Sequence, residues 1–242
     1  MKALGRLLLL VLCATLLLQL FFVSLIAVMA WLDPESTSYQ RSEAWQLAHS
    51  SEGLRWRQQW VDYGQISSNL KRAVIASEDA GFMDHHGVEW DAVQRAWQRN
   101  AKAEARAMQA EKAGNNSKPA KVYGGSTITQ QLAKNLLLSG ERSLLRKGQE
   151  FVLTQALELL LSKERILEIY LNSVEWGDGV FGAEAAAQHY YKKPAAKLSP
   201  HEAARLAVML PRPKYFEKLP NSGYVASRAA TIGARMGSAE LP

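Results

Sequence analysis

Three short strings in this chain bring together side chains capable of acid-base and electrostatic chemistry. They are Glu78-Asp79-Ala-Gly-Phe82-Met-Asp-His85-His-Gly87, then Gly124-Gly125-Ser126-Thr127-Ile-Thr129-Gln130-Gln131-Leu-Ala-Lys134-Asn135, then Arg142-Ser-Leu-Leu-Arg146-Lys147-Gly-Gln-Glu150. Each sets polar groups beside an apolar helix-forming stretch. One carboxylate near a group of cations suits a transfer reaction with an anionic leaving group: the carboxylate takes the proton of an attacking hydroxyl and the cations neutralise the departing charge.

Taken singly, each string has an ordinary explanation. Glu78-Asp79 reads as a solvated helix end, Glu150 as a favourable charge in a first helical turn and Arg146-Lys147 as a surface pair. Gly124 to Thr127 reads as a loop and cap for a helix carrying Gln130, Gln131 and Lys134. Their succession in one chain is what chance explains poorly. Other constellations are weaker. Ser68-Asn-Leu-Lys71 has the serine-to-lysine spacing of a penicillin-binding nucleophile, yet no Lys-Thr-Gly occurs anywhere. His85 and His86 are adjacent and point apart on a helix, and His49, His189 and His201 are scattered, so no protein zinc site is expected.

The elements that must position these strings are helical. Leu70 to Glu78 reads as a helix leading to the first string, Asp91 to Ala113 as a second, and Arg146 to Leu161 as a buried central helix because its apolar residues cover most of the circumference. Ser162 can cap a helix running to Leu171. Gly177, Gly179 and Gly182 precede a short helix from Ala183 to Tyr191. Ser199-Pro200-His201-Glu202 is a capping box, and its helix must end near Pro211 and Pro213. No stretch alternates convincingly enough for a strand.

From Leu7 to Trp31 the only strongly polar residue is Gln19, enough for a helix of roughly 37 Å. It ends in Trp-Leu-Asp-Pro without a small-residue cleavage site, which favours a retained anchor broken at Asp33-Pro34. Lys2 and Arg6 precede it and Asp33 and Glu35 follow, so the amino terminus is expected in the cytoplasm. Beyond Lys2 and Arg6, 27 of the 29 basic residues face 23 acidic ones, a modest excess that suits lipid headgroups or phosphates. No nucleic-acid-binding motif accompanies it. Cys13 is the one cysteine, so no intramolecular disulfide can form. Trp45, Trp56 and Trp60 follow the anchor and suit either an interfacial surface or packing on the core.

In order, the three strings resemble the successive motifs of the peptidoglycan glycosyltransferase family, also found as the first module of bifunctional penicillin-binding proteins. Lys163-Glu-Arg-Ile-Leu-Glu-Ile-Tyr170-Leu-Asn172, with Gly177, Gly182, Ala185-Ala186 and Tyr190, resembles the remainder, so the likeness runs from about Gln65 to Pro213. It implies a mostly α, lysozyme-like catalytic domain with a small membrane-proximal jaw on one N-terminal transmembrane helix. The implied division is a cytoplasmic tail (1–6), an anchor (7–31), a membrane-proximal segment (32–64) and the glycosyltransferase domain (65–242). The resemblance makes Glu78 and Glu150 the catalytic carboxylates. It places Asp79, Phe82, His85, Gly125, Ser126, Thr127, Gln130, Gln131, Lys134, Asn135, Arg142, Arg146 and Lys147 at substrate-binding positions. It further implies a divalent cation, Mg2+ or Mn2+, held by Glu150 and substrate phosphate. The implied partners are lipid II, the growing glycan strand, membrane lipid and cell-division or elongation proteins, with no nucleic acid. The implied location is a bacterial inner membrane with the domain in the periplasm.

Two rivals remain at the level of sequence. A lytic transglycosylase would share the core and the catalytic Glu but needs no pyrophosphate cluster, and a catalytically dead scaffold would lack Glu78 or Glu150. The interval from Gly87 to Gly124 exceeds the family's usual spacing, with Ala101 to Lys121 supplying the excess as an exposed helix extension and loop.

Overall fold

The computed structural model describes residues 2–51, 53, 55–112, 124–138, 140, 141 and 143–242. The described part is mostly helical. The helices are α1 (Lys2–Val28), α2 (Ser38–Ala48), α3 (Ser68–Glu78), α4 (Trp90–Lys112), α5 (Ile128–Leu137) and α6 (Leu144–Leu160). They continue as α7 (Lys163–Ser173), α8 (Ala183–Tyr191), α9 (Pro200–Met209), α10 (Pro213–Phe216) and α11 (Gly223–Arg235). The expected extension after Gly87 is helical as far as Lys112; residues 113–121, the rest of that expectation, lie outside the described residues.

Helix starts follow their caps. Thr127, Ser143, Ser162 and Ser199 each accept a hydrogen bond from a first-turn backbone N–H, and Thr127 and Ser199 complete capping boxes with Gln130 and Glu202. α3 packs on α9 and α11, while α5 packs on α6 and α7. The core between them is built from Leu70, Val74, Leu132, Leu136, Leu153, Leu157, Ile166 and Tyr170, all buried.

Three expectations are corrected. First, α6 is not buried all round: Leu144, Leu145 and Leu159 are 92, 88 and 84% exposed, and Phe151 and Val152 are also exposed. Glu150, Leu153, Thr154 and Leu157 are buried and Ala156 and Leu160 pack partly on the core, where α5 and α1 cover α6, while its apolar outer side stays exposed. Second, strands exist: β1 (Arg57–Gln58), β2 (Glu175–Gly177) and β3 (Val180–Phe181) form a small sheet ordered β1-β3-β2, with β1 parallel and β2 antiparallel to β3. Gly179 makes the turn between β2 and β3 at φ +70°, and a Cβ there would sit 1.9 Å from the Arg55 carbonyl oxygen, so only glycine fits. Third, the apolar helix runs Lys2–Val28 and gives way to a turn before Asp33-Pro34. It is long and apolar enough to cross a bilayer, which is compatible with a single-pass anchor.

Candidate active site

Glu78 closes α3, and its position is fixed by the turn that follows. The Asp79 carboxylate accepts the Ile128 backbone N–H at 2.9 Å and lies 2.9 Å from His85 Nε2. Gly87 N–H donates to His85 Nδ1 at 3.1 Å, leaving Nε2 to donate to Asp79. The Thr127 hydroxyl, besides capping α5, donates to the Gly87 carbonyl at 2.6 Å. The first two strings are thereby locked together. Gly87 has φ +85°, and a Cβ there would meet Thr154 Cγ2 at 2.7 Å, so the turn also needs its glycine.

The Glu78 carboxylate accepts Gln131 Nε2 at 3.1 Å and Ser77 Oγ at 3.3 Å. Buried Tyr170 donates to Gln131 Oε1 at 3.1 Å and so orients that amide. Burial pushes the Glu78 carboxyl above the ordinary range, against the pull of the Gln131 and Ser77 hydrogen bonds and of Arg228. A carboxylate raised in this way is a better proton acceptor at neutral pH than a solvated one.

Glu78 lines a cleft of about 940 Å3, to which α5 contributes Gln130, Gln131, Lys134 and Asn135, and the preceding loop Ser126. α6 contributes Arg146, Lys147 and Glu150. Arg146 Nη1 donates to Glu150 at 2.9 Å, Lys147 Nζ pairs with its other oxygen, and Arg146 Nε is buried without a hydrogen-bond partner among the described residues. Two cations in the first turn of a helix oppose its dipole, and basic residues three and four positions before an acid pair less well than the reverse order. That local cost builds a concentrated positive end, which suits an anion.

The structure therefore divides the expected site residues. Glu78, Ser126, Gln130, Gln131, Lys134, Asn135, Arg146, Lys147 and Glu150 line the cleft. Asp79, Phe82 and Thr127 are buried behind it, His85 reaches Asp79 rather than the cleft, and Gly125 packs against Ala92 and Ala96. Arg142 lies outside the described residues. Lys71 is no partner of Ser68: its ammonium donates to the Tyr63 carbonyl at 2.9 Å.

Sequence reasoning missed Glu175. The β-bulge in β2 falls at Glu175 and Gly177, and the side chain lines the cleft although it is only 4% exposed. Tyr39 donates to one of its oxygens at 2.7 Å; the other has no hydrogen bond, with Lys214 Nζ at 3.6 Å. Burial first, then the neighbouring Glu43 and Asp178, hold its carboxyl up at about 7 against Tyr39 and Lys214. An acid set between Val174 and Trp176 was the available signal.

Among the described residues no three His, Cys, Asp or Glu side chains could surround a metal ion. Glu150 is the carboxylate beside the cations, and both its oxygens are already engaged. Among the described residues the site would therefore offer a cation one carboxylate and no cage of its own.

A family model described as Transglycosylase matches residues 46–237. A biosynthetic peptidoglycan transglycosylase of Paraburkholderia phytofirmans is 54% identical over 224 residues, 93% of this chain and 87% of that protein. The same-named proteins of Burkholderia thailandensis and Bordetella pertussis are 54% and 52% identical, covering 93% and 96% of this chain and 82% and 91% of their own lengths. With the lysozyme-like helical fold and the cleft already described, these likenesses show that the chain belongs to the transglycosylase family.

Proposed function

We propose that the chain is a peptidoglycan glycosyltransferase that polymerises lipid II into linear glycan strands with release of undecaprenyl diphosphate. The observation that carries the reading is one cleft lined both by Glu78, a carboxyl raised by burial, and by Lys134, Arg146 and Lys147, with an Arg146 N–H unspent. In this reading Glu78 takes the proton from the 4-hydroxyl of the acceptor's N-acetylglucosamine, and the freed oxygen attacks C1 of the donor. The bond from C1 to diphosphate breaks with inversion, and the anion leaves against the cations. Arg142 is assigned to the same group by its motif position. Gln131, held by Tyr170, orients Glu78, while Asp79, His85 and Thr127 hold the turn that carries it. A divalent cation, Mg2+ or Mn2+, would reach the site on the diphosphate with Glu150 as its protein ligand and add charge neutralisation there.

Membrane attachment through α1, with the amino terminus cytoplasmic and the domain periplasmic at an inner membrane, is supported by Lys2 and Arg6 ahead of the apolar run of α1 and by Asp33 and Glu35 after it. The exposed Leu144, Leu145 and Leu159 on α6, which packs on α1, support seating of residues near the anchor in the lipid. Part of residues 40–70 forms the membrane-proximal jaw in this reading, and a phosphoglycolipid such as moenomycin would compete for the cleft. The cations beside Glu150 disfavour a lytic enzyme, which expels no diphosphate.

The test is incubation of the detergent-solubilised chain with labelled lipid II. Polymer of increasing length is expected. Shortening of added glycan without polymer would identify a lytic enzyme, and absence of both would leave the scaffold reading.

A further inference from the structure

A second pocket of about 660 Å3 lies beside the cleft, formed where β1 meets the turn between β2 and β3. Its Trp56 ring stacks on the buried Phe181 ring with centroids 4.5 Å apart, which makes a fixed aromatic platform. The acids in the pocket are spent. Asp178 pairs with Lys214 at 3.3 Å, and Glu217 engages His189 at 3.1 Å and accepts the Asp178 N–H at 2.7 Å. Of the pocket's cations, Lys214 is spent as well and Arg55 is engaged, but Arg57 and Lys218 are not. Arg57 gives one N–H to His189 Nδ1 at 3.3 Å and keeps its others, while exposed Lys218 has no partner among the described residues. Lys214 lines this pocket and reaches Glu43 and Glu175 of the cleft, so one side chain separates the two cavities.

We propose that this pocket binds the carboxylate-bearing peptide that a peptidoglycan sugar carries, with Arg57 and Lys218 taking the carboxylate and Trp56 the apolar face of the chain. The proposal rests on the polymerase reading for its ligand's identity. Two cations lining one pocket can take a carboxylate by charge-assisted hydrogen bonds, and the aromatic platform adds contact that a bare ion pair would lack. Continuity with the cleft places a peptide here while its sugar occupies the neighbouring cavity. An anionic lipid headgroup would need the charge but neither the ring nor the concavity.

The test uses the full chain in detergent and three probes: a soluble disaccharide bearing an acidic pentapeptide, the same disaccharide without peptide, and phosphatidylglycerol vesicles. Tryptophan fluorescence reads binding, with Trp56→Phe as the control that removes the reporting ring. The peptide-bearing probe should bind saturably, about tenfold more weakly with Arg57→Ala and Lys218→Ala combined, and more weakly with added salt, whereas the peptide-free probe should not distinguish the variants. Arg57→Lys with Lys218→Arg should restore most of the binding. No saturable binding by the unaltered chain, equal binding by the alanine pair, or a loss confined to vesicles would overturn the proposal. Failure to polymerise lipid II would instead strike the polymerase reading, since peptide binding is measured without it.

Discussion

Glu78 and Glu150 carry the same functional group into opposite surroundings. Glu78 meets neutral donors and is pushed up by burial, whereas Glu150 sits between Arg146 and Lys147. Glu78→Gln should lower polymer synthesis by about 10²–10⁴-fold, measured with labelled lipid II, while binding of a phosphoglycolipid persists. The initial rate of the unaltered chain should climb as pH rises through the raised Glu78 value, because only the ionised form accepts the proton. Glu175 gives a stability test. Its folded value of about 7 exceeds the ordinary 4.5, so its contribution is complete below about 4.5 and is lost as pH rises to about 7. Between pH 5 and pH 8 the unaltered chain should therefore lose more thermal stability than Glu175→Gln, by at most about 3 kcal/mol; equal losses would show that Glu175 ionises freely. The cleft residues Glu78, Lys134 and Glu150 were legible because their types and order mark them. Glu175 was not, because it is made unusual by Tyr39, Glu43 and Lys214, which come from distant parts of the chain.

At the scale of elements, capping chemistry was readable and circumference was not. Thr127, Ser162 and Ser199 start helices as their side chains dictate, since an N-cap acts within a few residues. The strands escaped because two or three residues cannot show alternation. On α6 the apolar count suggested burial, yet the same residues serve an apolar exterior equally well. Thr127→Ala removes the α5 cap and the bond to Gly87 together, and should cost about 1–2 kcal/mol in chemical denaturation, with activity falling because α5 carries Gln131. Thr127→Ser should recover most of both. Replacing Leu144 and Leu145 by Asn should leave the melting temperature unchanged, since both side chains are exposed, but weaken vesicle association in a flotation assay. A large fall in melting temperature would mean that these leucines pack on protein.

For the whole molecule, the hydropathy of residues 7–31 suggests an anchor broken at Asp33-Pro34 and set apart from the domain beyond it. The contacts contradict so clean a division. Ile26 and Met29 are buried in the main core, and Gln19 exchanges hydrogen bonds with Gln149 of α6 at 2.8 and 3.0 Å. Arg165 of α7 donates to the Met29 carbonyl at 2.8 Å, to the Leu32 carbonyl at 3.0 Å and to Asp33 at 2.7 Å. Removing residues 1–34 would thus empty part of the core and strip three partners from one guanidinium. A hydropathy pattern shows that a helix is apolar all round but not that its last turns also belong to a neighbouring core. Truncation should lower the melting temperature as well as turnover on liposomes, and the two losses can be separated. Ile26→Ala keeps the anchor and makes only the cavity, so it should cost about 2–5 kcal/mol while turnover per folded molecule on liposomes is retained. Replacing residues 2–18 by an unrelated apolar helix should preserve both stability and turnover, because these residues are exposed and the side-chain hydrogen bonds to the domain begin at Gln19. If the chain truncated at Pro34 melts at the same temperature as the full chain, the end of α1 contributes nothing to the fold. If it also turns over membrane-embedded lipid II at the full rate, anchoring has no part in presenting the substrate.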